Sequence, residues 1–395
     1  MFSKLSAPTL DPILSLSVAF RNDARAQKVD LGIGVYRNSA GETPIMEAVQ
    51  IAQQRLVETQ TTKAYVGLAG CEEFNQCMTG LLLGSSSATQ RSSAIQTPGA
   101  SGALRMLADL LRVAEPDTTV WISNPSYVNH RPVMEAAGLK VREYSYFDPT
   151  TKQVDTNKML AELALAGPKD VVLLHGCCHN PTGADIDFAA WQELTTLAQK
   201  QGFIPFVDVA YQGFGDGLDQ DVAGLRHMAN NVEEMLITAS CSKNFGLYRE
   251  RTGAAIVVGR NSQEAANAKG KLLNLARSTY TMPPDHGAAL VKTVLTDSGL
   301  TQTWRNELTE MQQRLVQLRS GLCEQLRLSH GNSEFDFIEK HKGMFSVIGF
   351  TAQQMSYLRE QYGVYGVGDG RINIAGLSEQ HLPLVAKAIA DTANH

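Results

Sequence analysis

The chain has 395 residues, 43% hydrophobic and 19% charged, with a net charge of -5. That length holds two or three domains of ordinary globular composition, and the acidic balance excludes a basic surface for nucleic acid or anionic membrane. No apolar run reaches a membrane span, and the six cysteines form no CxxC or Cys/His ligand spacing, so no metal site or disulfide framework is expected.

In chain order, Asp11-Pro12 precedes Ile13, Leu14, Leu16, Val18 and Phe20, which predicts an N-capped helix with proline at its first position. Val29 to Tyr36 reads as a strand. Its Gly32-Ile33-Gly34 lacks the third glycine and the following helix of a dinucleotide fingerprint. Apolar spacing predicts a helix from Pro44 to Val57. Thr97-Pro98-Gly99-Ala100-Ser101-Gly102 opens directly into a helical pattern. Small residues there let backbone N–H groups close around an anion, although an ordinary capped start gives the same pattern.

Strands and helices then alternate. Val120–Ile122 ends in Ser123-Asn124-Pro125, Val171–His175 in Cys177-Cys178-His179-Asn180-Pro181, and Ile204–Val207 in Asp208-Val209-Ala210-Tyr211. Met235–Ile237 leads to Ser240-Cys241-Ser242-Lys243, closed by Arg251. This alternation predicts a mostly parallel sheet covered on both faces, with ligands beyond the carboxyl ends of the strands. Asn180, Asp208 and Lys243 all fall at such ends. A lysine buried in that position must pair or lose its charge, and bonding to a carbonyl cofactor is one way to lose it that also makes the nitrogen reactive, although a solvated loop lysine flanked by serines gives the same pattern. A long helix, Leu308 to Leu328, leads to a C-terminal α+β unit holding Gly343–Val347 and Arg371-Ile372-Asn373-Ile374-Ala375-Gly376.

Taken together, these stretches resemble the class I pyridoxal-phosphate aminotransferases, in particular the aspartate/aromatic branch. The motifs in order are Asp11-Pro-Ile-Leu, Leu31-Gly-Ile-Gly-Val-Tyr, Cys177-Cys-His-Asn-Pro-Thr-Gly, Asp208-Val-Ala-Tyr-Gln-Gly-Phe, Ser242-Lys-Asn-Phe-Gly-Leu-Tyr and Arg371-Ile-Asn-Ile-Ala-Gly, across nearly the whole chain. The resemblance implies an α/β fold of the fold-type-I transferase kind. It has an arm and first part of a small domain at 1–43, a large cofactor domain at 44–310, and the rest of the small domain at 311–395.

It also implies pyridoxal phosphate as cofactor, a cytoplasmic homodimer with shared sites, and a set of residue roles. Lys243 matches the Schiff-base lysine and proton carrier. Asp208 matches the carboxylate on the pyridine nitrogen, supported by His130. Tyr211 and Asn180 match the donors to the phenolic oxygen. Gly99, Ala100, Ser101, Ser240 and Arg251 match the phosphate cradle, with Tyr65 supplied by the other subunit. Tyr127 matches the ring-stacking aromatic. Arg371 and Gly34 match the hold on the substrate α-carboxylate, and Arg277 the arginine reaching across the dimer. Asn124-Pro125 and Asn180-Pro181 are expected cis.

Four positions depart from the aspartate-enzyme pattern: Tyr127 for tryptophan, Ala64 for asparagine, Ser101 for threonine, and Met282 for asparagine or serine. The last three make the pocket less polar. The expected activity is therefore transamination of aspartate, glutamate or aromatic amino acids with 2-oxo acids. Another enzyme of the same fold, a decarboxylase or lyase, and a non-catalytic cofactor-binding regulator are the alternatives.

Overall fold

The computed structural model describes residues 2–4, 6 and 12–395. Helix α1 spans Pro12–Asn22; the expected N-cap, Asp11, lies outside the described residues. Strand β1 is only Val29–Asp30, not the eight-residue strand expected. The Asp30 carboxylate explains the break: it accepts the N–H groups of Gly32 and Ile33 and turns the chain out of the ladder. Helix α2, Glu47–Thr59, starts three residues later than the apolar spacing predicts. Its first N–H groups, those of Glu47 and Ala48, are capped by the distant Glu307 carboxylate, which sequence periodicity cannot report.

Next come β2 (Ser92–Pro98), α3 (Gly99–Ala114), β3 (Thr119–Asn124), β4 (Lys140–Ser145), β5 (Asp170–His175), α4 (Phe188–Gln201), β6 (Ile204–Val209), β7 (Met235–Ser240), β8 (Thr252–Val258) and α5 (Ser262–Thr279). They build one seven-stranded sheet in the order β2-β8-β7-β6-β5-β3-β4. Strand β8 runs antiparallel to both β2 and β7, and the remaining pairs are parallel. The mostly parallel reading holds with that one reversal. Both Asn124-Pro125 and Asn180-Pro181 are cis.

Helix α6, Ser298–His330, is longer at both ends than expected. Asp297 caps its start by accepting the Leu300 N–H, and Gly331 at φ 79° ends it. Its first half buries Leu300, Trp304, Leu308, Met311 and Leu315 in the core around the sheet. Leu318, Leu322 and Leu326 enter a second core with Val29, Leu31, Ile372, Val385 and Ile389. Strands β9 (Phe345–Val347), β10 (Val364–Tyr365) and β11 (Arg371–Asn373) follow; Val364 and Ile372 enter that second core, whereas Phe345 packs into the core around the sheet. β1 pairs in parallel with β10, and β9 antiparallel with β11. Among the described residues no helix is long and apolar enough to cross a membrane.

Candidate active site

The parallel register aligns three residues across the sheet: His175 on β5 faces Asp208 on β6, which faces Thr238 on β7. Asp208 is 7% exposed. Its Oδ1 accepts the Thr238 hydroxyl at 2.5 Å, and its Oδ2 accepts His130 Nε2 at 3.0 Å. Burial raises the Asp208 pKa, but the bonds from His130 and Thr238 outweigh it and leave the carboxyl below its ordinary value. Ser126 Oγ lies 2.9 Å from His130 Nδ1 and fixes the ring from behind. Burial and the adjacent His130 push His175 down to about 3, so it is neutral at physiological pH.

A cleft of about 200 Å³ opens over this row. Gly34, Ala100, Ser101, Tyr127, Asn180, Asp208, Tyr211, Ser240, Lys243 and Arg251 line it, so ten of the expected site residues converge. Lys243 Nζ stands 4.7 Å from the Tyr211 ring centroid. Burial lowers its pKa to about 8, Asp208 opposing and Arg251 reinforcing the shift. Tyr211 is buried, and desolvation raises its phenol well above the ordinary range. Tyr127 packs edge-on to His130 with centroids 5.3 Å apart.

The residues expected to cradle a phosphate meet where β2 gives way to α3. No side chain caps that helix start, and its first turn carries no acidic residue, so its free N–H groups and dipole face the cleft. Gly99 sits at φ 68°, and a Cβ there would fall 2.6 Å from Arg251 Nη2. The Arg251 Nη1 donates to the Tyr248 carbonyl at 3.0 Å and to Ser242 Oγ at 3.4 Å. An uncapped 16-residue helix start beside a guanidinium fits a phosphate monoester, and an ionised buried carboxylate fits a protonated pyridine nitrogen.

Arg371, 4% exposed, lies on β11 and meets the wall of the cleft at Asn180. It donates to Asn180 Oδ1 at 3.3 Å and to the Gly32 carbonyl at 3.1 Å, while its buried Nε has no partner. Two expected residues are not brought in. Tyr65 is 90% exposed, and Arg277 is exposed in the last turn of α5; neither lines the cleft of its own chain. Their segments are tied together, because the Val66 N–H donates to Met282 Sδ at 3.2 Å. Of the three polarity-lowering departures, only Ser101 lines the cleft.

Sequence reading missed Thr238, His175, Cys177 and Tyr248. Thr238 was within reach, since strand period places it on the same face as Ser240. Cys177, Cys178 and Asp221 bring ligand-capable atoms within 4.8 Å of one another, a grouping invisible to spacing rules. The Asp221 carboxylate there already accepts N–H groups from Gly213, Gly215 and Asp216.

A mostly parallel sheet with a lysine, an ionised carboxylate and an uncapped helix start beside an arginine at its strand ends defines a fold-type-I pyridoxal-phosphate enzyme. The profile of the family "Aminotransferase class I and II" matches residues 26–389. An aromatic-amino-acid aminotransferase of Paracoccus denitrificans is 46% identical over 99% of each chain. An aspartate aminotransferase of Escherichia coli (strain K12) is 43% identical over 98% of this chain and 99% of its own. The structure of an aromatic-amino-acid aminotransferase of Burkholderia pseudomallei, covalently bound to pyridoxal phosphate, superposes with a TM-score of 0.97 at 39% identity over 99% of both chains. The chain belongs to the class I and II aminotransferases. It is a pyridoxal-phosphate-dependent transaminase.

Proposed function

We propose that this transaminase accepts both dicarboxylic and aromatic amino acids and returns the amino group to 2-oxo acids such as 2-oxoglutarate and oxaloacetate. The observation that carries this is Arg371: a buried guanidinium whose bonds go to neutral oxygens, one of them on Asn180 in the wall of the cleft that holds Lys243, and whose Nε is unpartnered. Such a fork suits a carboxylate common to every amino acid. Pyridoxal phosphate supplies the carbonyl carbon and the electron-withdrawing ring when bound. In this reading Lys243 moves the proton, Asp208 with His130 behind it holds the ring nitrogen's proton, and Tyr211 and Asn180 bind the phenolic oxygen. Gly99, Ala100, Ser101, Ser240 and Arg251 hold the phosphate, Tyr127 stacks on the ring, and Arg371 with Gly34 orients the substrate. A panel of aspartate, glutamate and phenylalanine with 2-oxoglutarate tests the dual specificity. Turnover of all three is expected, and strict dependence on one side-chain class would refute it.

We also assign the catalytic unit to a homodimer in the cytoplasm. Support comes from the six free cysteines and from exposed Tyr65 and Arg277, which have no role in their own cleft and suit that of the partner subunit. Residues 44–310 would form the cofactor domain, and 1–43 with 311–395 the small domain, the boundary falling inside the continuous helix α6. A hybrid dimer of one Lys243→Ala and one Arg277→Ala subunit is expected to regain one intact aspartate site, because the intact lysine and arginine then serve the same cleft. A purified hybrid no more active on aspartate than its parents would rule out the sharing.

A further inference from the structure

We propose that Phe345 is the positioning residue that sets the Arg371 fork at the cleft wall beside Asn180, so that its ring controls how tightly a substrate carboxylate is held. The proposal rests on the reading of Arg371 as that fork. Phe345 opens β9 and is 2% exposed. Its ring centroid lies 4.5 Å from the guanidinium carbon of Arg371. Tyr211 meets it edge to face, with centroids 6.1 Å apart at 86°. On the third side is Gly34, where a Cβ would stand 2.8 Å from the ring's Cζ. One ring therefore touches the carboxylate fork, a cofactor-side phenol and the substrate-facing glycine, which come from three separate segments.

The ring cannot easily retreat. Across β9–β11 its backbone pairs with Asn373, two residues beyond Arg371 on the same strand. The Phe345 carbonyl accepts Arg319 Nη2 at 2.8 Å. Arg319 is itself 3% exposed and also holds the Gly343 carbonyl at 2.8 Å and Ser346 Oγ at 2.7 Å. Shifting the Phe345 backbone would unseat a second buried guanidinium.

The chemistry suits a fork that must wait for its ligand. A guanidinium taken out of water needs compensation, and an aromatic face supplies negative potential without a carboxylate. A carboxylate in that place would occupy the N–H donors; the π face leaves them for the substrate. Gly34 fits the same account. It is not among the positive-φ residues, so it is glycine for room and not for backbone freedom.

The test is the Kd of 3-phenylpropionate, a carboxylate without an amino group, titrated against the holoenzyme and its variants by calorimetry. Phe345→Leu is expected to weaken binding about tenfold or more, the scale of a desolvated cation–π contact. It should raise KM for amino acid and 2-oxo acid alike, with a much smaller fall in kcat. Gly34→Ala should weaken binding by displacing the ring, and adding it to Phe345→Leu should cost little more, because leucine leaves space for the methyl group. Phe345→Met keeps the apolar volume without a π face, and should weaken binding as far as leucine does even if the leucine variant folds poorly. Unchanged Kd in the Phe345 variant, alongside weakened binding in Arg371→Leu, would overturn the positioning role. Unchanged Kd in Arg371→Leu would instead overturn the reading of Arg371. Fully additive losses for Gly34→Ala and Phe345→Leu would also count against the proposal.

Discussion

Lys243→Ala is expected to reduce multiple-turnover kcat by about five orders of magnitude while the protein still retains its cofactor. General acid–base catalysis alone contributes about 10²–10⁴, and a positioned reacting group adds an entropic advantage of comparable or greater size. Both depend on the same nitrogen, because Lys243 is the lysine lining the cleft. Retention follows from what remains: Asp208, Arg251, Ser240 and the uncapped start of α3 are untouched. Cofactor absorbance after gel filtration measures retention, and steady-state assay measures turnover. Substantial turnover by the pure variant would remove Lys243 from the chemistry.

The pH dependence has a definite sign. Burial lowers the Lys243 ammonium to about 8, so its nucleophilic, unprotonated form gains population as pH rises through that value. Reconstitution of the wild-type, cofactor-free chain should accelerate over the same range.

The second large effect concerns Arg277. Arg277→Leu is expected to lower kcat/KM for aspartate by about two to four orders of magnitude, since losing one partner of a desolvated charge pair costs about 3–5 kcal/mol. Phenylalanine should change little, because a hydrophobic pocket separates substrates by only about 1–3 kcal/mol per methylene-sized difference. Within its own chain Arg277 is exposed at the end of α5, so truncation there should leave folding intact. For aromatic substrates the arginine is expected to swing toward water, because remaining buried and unpaired would cost more than the pocket returns. Equal losses for both substrates would make Arg277 structural and end the specificity argument.

How far the site could be read in advance differs from residue to residue. Asn180, Asp208 and Lys243 follow continuous apolar runs, and a parallel sheet exposes the ends of such runs on one edge. Their convergence therefore follows from local pattern plus chain topology. The open start of α3 was legible for a similar reason: small residues directly before a helical period mark a helix start without a side-chain cap. The assignment of Tyr65 and Arg277 came only from family resemblance. Neither lies in the cleft of its own chain, and no periodicity within one chain describes a neighbouring subunit.

The amino-acid sequence by itself determined the sheet-forming runs, the strand-end positions of Asn180, Asp208 and Lys243, and the glycine-rich start of α3. Each depends on side-chain period or backbone chemistry within a few residues. Tertiary structure alone decided the row His175–Asp208–Thr238, which requires the register of three strands. It also decided that α2 begins at Glu47, because the Glu307 carboxylate that caps it comes from 260 residues away. The same holds for Phe345 between Gly34, Tyr211 and Arg371. Contacts between segments far apart in the chain have no local signature, since their geometry exists only after the two cores have packed along α6.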